Sequence, residues 1–207
     1  MIPTIPSSER ATRPRVQGLR RCRFSGPSGL LLTVSLLAAA GAAAGTAAVE
    51  AASAKNCLSS GDGYLRAHIG GALEAEIDWP NSGTACEGES KTDPVGVRLS
   101  FRRVAGSRPN LLFVFGLTGV REGEPLRESA ANLTIIVQGS DRIYGTRGDS
   151  RCTVDSLTQR RLGGEHQYRL EAHGFCTQPA RAVRGGGAVI VSRFDFAGIV
   201  NYEEKPP

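Results

Sequence analysis

The chain has few of the side chains, and none of the local motifs, from which common catalytic and cofactor sites are built. Its 207 residues include three histidines, one tryptophan and one methionine. It contains no G-x-S-x-G nucleophile elbow, no H-E-x-x-H motif and no phosphate-cradling loop. These absences exclude enzymes that are recognised by a local motif, although they leave room for an active site assembled from distant residues. We expect a non-enzymatic protein with no catalytic residue, no cofactor and no metal site.

A large net positive charge is also missing once the first 54 residues are set aside. Those residues hold six arginines and two glutamates, so the totals of 25 basic and 20 acidic residues fall to 19 and 18, a net charge of +1 for residues 55–207. Nucleic-acid binding requires a concentrated positive surface that displaces counterions. We therefore expect no nucleic-acid partner.

Residues 1–54 are predicted to be an export signal. Six arginines precede the apolar run Leu30–Ala44, and the small residues Ala52, Ser53 and Ala54 close the segment. Leu30–Val49 approaches the roughly 20 apolar residues of a membrane span, so an uncleaved signal anchor is the alternative. Residues 55–207 are then one exported domain with a loose tail from about residue 201, and only the N-terminal segment would contact a membrane.

Helical stripes are missing after residue 55, and a period of two takes their place. Odd positions from Leu65 to Trp79 are mostly apolar and even positions mostly polar, which predicts extended strand. Further strands are predicted at Val95–Arg102, Leu111–Leu117, Leu133–Val137, Arg142–Thr146, Tyr168–Cys176, Ala188–Val191 and Phe194–Tyr202. Many short strands separated by glycine-rich turns predict an all-β fold, namely a single antiparallel β-sandwich, with a closed β-barrel as the alternative.

The glycine pair Gly70-Gly71 interrupts the first alternating run. A two-residue hairpin there would put the apolar positions before it on the same face as the acidic positions after it, which is unfavourable. We predict either a continuous strand kinked at the glycines or a three-residue loop that pairs Ile69 with Leu73.

Three carboxylates, Glu74, Glu76 and Asp78, alternate along the polar face of this run. They are expected to lie across from Arg98 and Arg102 of the next predicted strand. Alternate strand residues are nearly 7 Å apart, too far for several of them to ligate one calcium ion.

Four cysteines follow the signal, at Cys57, Cys86, Cys152 and Cys176. An even number in an exported domain predicts two disulfides, for which three connectivities exist. We favour Cys57 with Cys86 and Cys152 with Cys176. A zinc site is the alternative, but it usually needs closely spaced cysteine pairs, which this chain lacks.

The three histidines are expected to be ordinary surface residues. His68 lies on the polar face of the first run, and the odd separation of His166 and His173 would point them to opposite faces of one strand.

Three strand-like runs resemble stretches of uncharacterised exported proteins of GC-rich proteobacteria: Leu73–Trp79, Leu112–Leu117 and Ala131–Ile135. The resemblance implies export and an all-β fold, and it implies no activity and no site residues.

The leading functional hypothesis is an exported, non-enzymatic β-sandwich that binds a ligand or a partner in the cell envelope or outside the cell. One alternative is a small hydrolase acting on glycans or the cell wall through Glu74, Glu76 or Asp78. Another is a β-barrel that carries an apolar ligand. An enzyme should show a cleft with converging carboxylates, and a carrier should show a large apolar interior.

Overall fold

The structure, a computed structural model, describes residues 56–104, 109–148 and 150–203. The predicted signal of residues 1–54 and the last four residues of the predicted tail lie outside these ranges. Within the ranges, the chain forms no helix with the length and hydrophobicity needed to cross a membrane.

Strands dominate the described residues, and the prediction of an all-β fold is confirmed. There are eleven: β1 (Tyr64–Gly71), β2 (Ala75–Pro80), β3 (Thr84–Thr92), β4 (Val95–Arg103), β5 (Leu111–Thr118), β6 (Leu126–Val137), β7 (Ile143–Gly145), β8 (Cys152–Arg161), β9 (Gln167–Cys176), β10 (Ala180–Ala182) and β11 (Ala188–Asn201).

All eleven strands belong to one hydrogen-bonded sheet. Its order is β10-β7-β6-β5-β4-β3-β11-β1-β2, while β8 pairs with β6 and β9, and β9 also pairs with β11. The ladders are antiparallel, as predicted, apart from a single parallel bridge between Asn201 of β11 and Glu89 of β3. The last strand in chain order, β11, is therefore a hub that pairs with β1, β3, β9 and β10.

The sheet folds over so that β4 and β5 face β11 across an aromatic core. The ring centroid of Phe115 lies 5.1 Å from that of Phe194 and 4.6 Å from that of Phe196, and Phe101 lies 5.2 Å from Phe196. All four rings are fully buried. Burial of a phenylalanine side chain stabilises a fold by about 1.5–3 kcal/mol, so these contacts between layers hold the sandwich closed.

The connection between β1 and β2 differs from both predicted alternatives. The strands form a hairpin in which Ile69 pairs with Ala75, so the loop is longer than the three-residue loop that would have paired Ile69 with Leu73. The longer loop still joins odd positions to odd positions, and Ile77 and Trp79 therefore stay on the buried face as expected.

The predicted partners of the acidic face were wrong. Asp78 lies across from Arg66, and Glu76 lies across from His68, because β2 pairs with β1. β4 lies between β3 and β5, so Arg98 faces Glu89 and Arg102 faces Ala85. The prediction failed because β3 was not recognised, since its sequence TACEGESKT has no clear apolar alternation.

Two β-bulges interrupt the alternation of buried and exposed residues, so the strands that contain them do not show a simple period of two in the sequence. In β11, Arg193 pairs with His68 and Val191 with Ile69, so Ser192 is an extra residue. The bulge moves the buried positions from odd to even numbers, and the two predicted runs 188–191 and 194–202 are in fact one strand. A similar irregularity near Asp155 shifts the buried set of β8, which was not predicted.

Both favoured disulfides are present, and that connectivity is confirmed. Cys152 and Cys176 join β8 to β9, and Cys57 joins the segment before β1 to Cys86 of β3. Intact disulfides fit an oxidising environment of the kind found outside the cytosol.

The ordered chain extends beyond the position where a loose tail was predicted to begin. Asn201 is the last residue of β11, and Tyr202 is buried with its hydroxyl donating a hydrogen bond to Gln159 Oε1 at 2.6 Å.

Candidate functional site

A groove of about 620 Å³ lies on the outer surface of β3, β4 and β5, beside the end of β11. Its apolar lining consists of Leu112 and Val114 from β5 and Ile199 from β11, all of them partly exposed. We call it the outer groove. Its volume lies within the range of about 300–1,000 Å³ that is typical of small-molecule sites.

Strand alternation explains why charged side chains border the outer groove. In β3, Cys86 and Gly88 are buried, so Glu87 and Glu89 point outward. In β4, the buried positions Val97, Leu99 and Phe101 leave Arg98 and Ser100 on the outer face.

Gly88 allows β3 to lie directly against the end of β11. A Cβ atom at this position would be 2.2 Å from the carbonyl oxygen of Ile199 and 3.0 Å from a methyl group of Val200. The first distance is far below van der Waals contact, so the position requires glycine. Glu89 and Glu203 both line the groove beside this contact. Glu203 follows β11, and its N–H donates a hydrogen bond to Ser90 Oγ at 3.2 Å.

The charges of the outer groove are unbalanced. Glu87, Glu89 and Glu203 face a single cation, Arg98, which gives a formal charge of −2. In the described part of the chain, none of the four forms an ion pair. These groups are therefore free to interact with a ligand.

Tyr202 completes the lining of the groove with a fixed side chain. Burial is the main cause that raises the pKa of its phenol above the ordinary value, and its hydroxyl is committed to Gln159. The residue contributes a rigid neutral surface rather than an acid or a base.

A second set of polar side chains covers the outer face of β2, β1, β11 and β9, and its members are paired with one another. His173 Nδ1 lies 2.6 Å from Asp195 Oδ1, Arg66 Nε lies 3.3 Å from Asp78 Oδ1, and Arg169 Nη1 lies 2.6 Å from Glu171 Oε2. We call this set the ionic ladder.

Tyr64 and Glu171 form a partly buried link of the ionic ladder. The phenol donates to Glu171 Oε1 at 3.0 Å. The pKa of Glu171 is lowered, first by the hydrogen bond from Arg169 and then by that from Tyr64, despite opposing burial. Burial and the bond to this carboxylate raise the pKa of Tyr64 to about 12.

Asp62 lies beside two arginine side chains at one end of the ionic ladder. Arg160 Nη2 lies 3.0 Å from Asp62 Oδ2, and Arg169 Nε lies 2.8 Å from it without the alignment of a hydrogen bond. The Ser60 hydroxyl is the largest cause that lowers the pKa of Asp62, and both arginines add to it. The ladder is therefore largely neutralised within the protein.

The ladder also contains a serine, a histidine and an aspartate in one row across the strands. Ser156 of β8 is the cross-strand partner of His173, whose other neighbour is Asp195. Within the described ranges, however, the Ser156 hydroxyl makes no hydrogen bond to the imidazole, and His173 Nε2 instead faces Glu171 Oε1 at 3.7 Å. The row lacks the nucleophile–base contact of a serine hydrolase.

The three acidic residues proposed for a hydrolase do not all converge in one cleft. The side chains of Glu76 and Asp78 are 65% and 76% exposed, and each is paired with a side chain of β1. A shallow groove of about 450 Å³ brings Glu74 and Glu76 together with His68, and Asp78 does not line it.

Each histidine is partly exposed and lies beside a carboxylate. His68 Nδ1 is 2.7 Å from Glu76, and His166 Nδ1 is 3.0 Å from Glu122. Over residues 56–104, 109–148 and 150–203, no three His, Cys, Asp or Glu side chains meet in a way that could hold a metal ion.

Comparisons of the chain with protein-family models, with curated proteins and with solved structures find no match. The function of the outer groove is therefore inferred from its own chemistry.

Sequence reasoning missed the outer groove because its charged rim depends on β3. The signal that was present is the pair Glu87 and Glu89 at alternate positions, which is the spacing of an outward face. Their neighbours Gly88 and Ser90 carry no apolar alternation that would have revealed the strand.

Proposed function

We propose that the protein is an exported, non-enzymatic binding protein, periplasmic or secreted, and that the outer groove is its ligand site. The preferred ligand carries a cationic group beside an apolar group. The observation that carries this proposal is an apolar lining bordered by Glu87, Glu89 and Glu203 against one arginine, with these charges unpaired in the described chain.

The contrast between the two outer faces supports this choice of site. On the ionic ladder, a ligand would have to displace partly buried ion pairs such as Arg169–Glu171 before it could use the same charges. In the outer groove, the carboxylates form no ion pair with any residue that the structure describes, so a cation would displace none there, and electrostatic complementarity favours binding.

The filled interior disfavours a carrier of apolar ligands. The space between the layers is occupied by Phe101, Phe115, Phe194 and Phe196 in mutual contact, and these rings would have to move to admit a ligand. The exposure of Glu76 and Asp78 likewise disfavours the hydrolase hypothesis, because acid–base carboxylates are usually placed in a cleft that perturbs their pKa.

Binding of benzamidinium, a small planar cation on an aromatic ring, tests the proposal against benzoate, which has the same shape and the opposite charge. Titration of the ¹⁵N-labelled, disulfide-bonded protein should shift the amide signals of β3 and β4 around Glu89 and Arg98 with benzamidinium only.

The double variant Glu87→Gln/Glu89→Gln should bind benzamidinium about fivefold more weakly, because each of the two exposed charge interactions contributes about 0.5 kcal/mol. Glu124→Gln/Glu165→Gln removes the same charge from exposed positions outside the groove and should leave binding unchanged. Equal binding of benzoate, or signal shifts confined to other strands, would refute the proposed site.

A further inference from the structure

Among the described strands, β2 is the one that pairs with a single neighbour, because its only ladder is with β1. β3 has a full ladder with β4 and one bridge to β11, at Glu89 and Asn201, and each of the other nine strands pairs with at least two neighbours. An unpaired edge presents a row of backbone N–H and C=O groups that can pair with another extended segment.

β2 is a preformed template, because its inward side chains are anchored. Ile77 and Trp79 are each 6% exposed, and the Trp79 ring meets that of Phe113 edge-on at 5.4 Å between centroids. The six residues span about 20 Å, enough for a partner segment of similar length. A partner would not have to order this strand, which lowers the entropic cost of association.

The side chains that point outward along this edge are acidic, so their charge favours a basic partner. Glu76 and Asp78 point outward from β2, and Glu74 precedes the strand. Their contacts with His68 and Arg66 lie on the β1 side and are exposed, so each contributes little stability. A strand added on the open side would place its own outward side chains directly across from these carboxylates.

A second copy of this chain is a poor partner for the same reason. In an antiparallel β2–β2 pair with both inward faces kept inside, carboxylates of one copy face carboxylates of the other. Pairing Ile77 with its counterpart, for example, puts Glu76 across from the second Asp78. Like charges in directly opposed positions destabilise a sheet.

We propose that β2 binds an extended segment of another protein that carries basic side chains at alternate positions, and that this segment adds a strand to the sheet. Backbone hydrogen bonds supply the affinity, and the alternating charges supply the specificity. This interaction surface is separate from the outer groove and does not depend on the function proposed for it.

Three acetylated, amidated hexapeptides test the proposal: one of alternating Arg and Val, one of alternating Glu and Val, and an Arg/Val peptide that is N-methylated at alternate residues to block one hydrogen-bonding edge. The Arg/Val peptide should bind and slow hydrogen exchange of amides in Ala75–Pro80. The other two should not bind, because one has the wrong charge and the other lacks the backbone donors.

Charge reversal provides the sharpest variant. Glu76→Lys/Asp78→Lys should weaken binding of the Arg/Val peptide by about tenfold or more and should confer binding of the Glu/Val peptide. Asp141→Lys/Glu165→Lys makes the same net change at exposed positions on other elements and should alter neither preference. Circular dichroism checks that each variant retains the β fold.

The outer groove is also acidic, so the location of binding is decisive. Glu87→Gln/Glu89→Gln should leave binding of the Arg/Val peptide and protection of β2 unchanged. Loss of binding in that variant, equal binding of the Arg and Glu peptides, or absence of binding at millimolar concentration would each overturn the proposal. In the last case, the acidic residues serve only to keep other strands away from the edge.

Discussion

Asn81 shows how one buried side chain can organise a segment that has no secondary structure. Its Oδ1 accepts hydrogen bonds from the N–H groups of Leu58 at 2.8 Å and Gly63 at 3.1 Å, and its Nδ2 donates to the carbonyl of Leu58 at 3.0 Å. The segment before β1 is thus fixed to the end of β2, and the adjoining Cys57 is held near its partner Cys86. Nothing in the sequence distinguishes Asn81 from an ordinary turn residue, because its partners are defined only by the tertiary fold.

Tyr64 and Glu171 should make stability depend on pH in opposite directions. The folded-state pKa of Tyr64, about 12, exceeds the ordinary tyrosine value of about 10, so folding favours the neutral phenol. This contribution is complete below pH 10 and is lost as the pH rises toward 12. The lowered pKa of Glu171 gives a contribution that is present above its ordinary value and is lost on acidification.

Denaturant unfolding of the wild type and Tyr64→Phe at pH 8, 10, 11 and 12 measures the alkaline effect. The free energy of unfolding should fall less steeply between pH 10 and 12 in the variant. Some decline should remain, because Tyr202 also has a raised pKa. Parallel curves for the two proteins would show that Tyr64 does not contribute.

Among the strands, those with regular alternation were predictable and those with a bulge or a polar sequence were not. The runs that became β4 and β5 were correctly placed, because Val97, Leu99 and Phe101 alternate without interruption and β5 is apolar throughout. In β8, the buried residues Val154 and Leu157 are three apart, since the bulge adds a residue between them. A search for alternating apolar residues cannot detect a strand in which a bulge shifts the buried positions by one residue. In β3, such a search has almost no apolar residues to detect.

The close contact between β3 and β11 is possible because Gly88 has no side chain. Gly88→Ala should destabilise the protein by about 2 kcal/mol or more, because the new methyl group meets the Ile199 carbonyl and the strands must separate. Gly186→Ala is the matched control, since open space surrounds that position, and it should change stability by less than about 0.5 kcal/mol. Equal unfolding midpoints in guanidinium chloride for the two variants would contradict the close approach.

The molecule as a whole is more predictable than its candidate sites. Fold class and antiparallel pairing follow from patterns along the chain, and the presence of two disulfides follows from the number of cysteines, whereas their connectivity was one favoured choice among three. The outer groove and the open edge arise instead from contacts between distant segments, such as that of Gly88 with Ile199 and that of Trp79 with Phe113. No local pattern encodes which strands become neighbours.

The two disulfides should supply a large share of the total stability. They close loops with sequence separations of 29 and 24, and each should contribute about 3.5 kcal/mol by restricting the unfolded chain. Cys57→Ser/Cys86→Ser and Cys152→Ser/Cys176→Ser should each lower the free energy of unfolding by about that amount. Chemical denaturation with and without dithiothreitol checks this expectation, and a wild-type midpoint that is insensitive to complete reduction would contradict it.

The hub position of β11 has a consequence for the order in which the chain is made. Synthesis proceeds from the N-terminus, so β1 and β9 both exist before the strand that lies between them. The ladder between β1 and β11 pairs residues as far apart in the sequence as Tyr64 and Ala197, and such non-local pairing makes folding slow. The nascent polypeptide therefore cannot complete the pairing of β1, β9 and β10 until β11, the last strand, has left the ribosome.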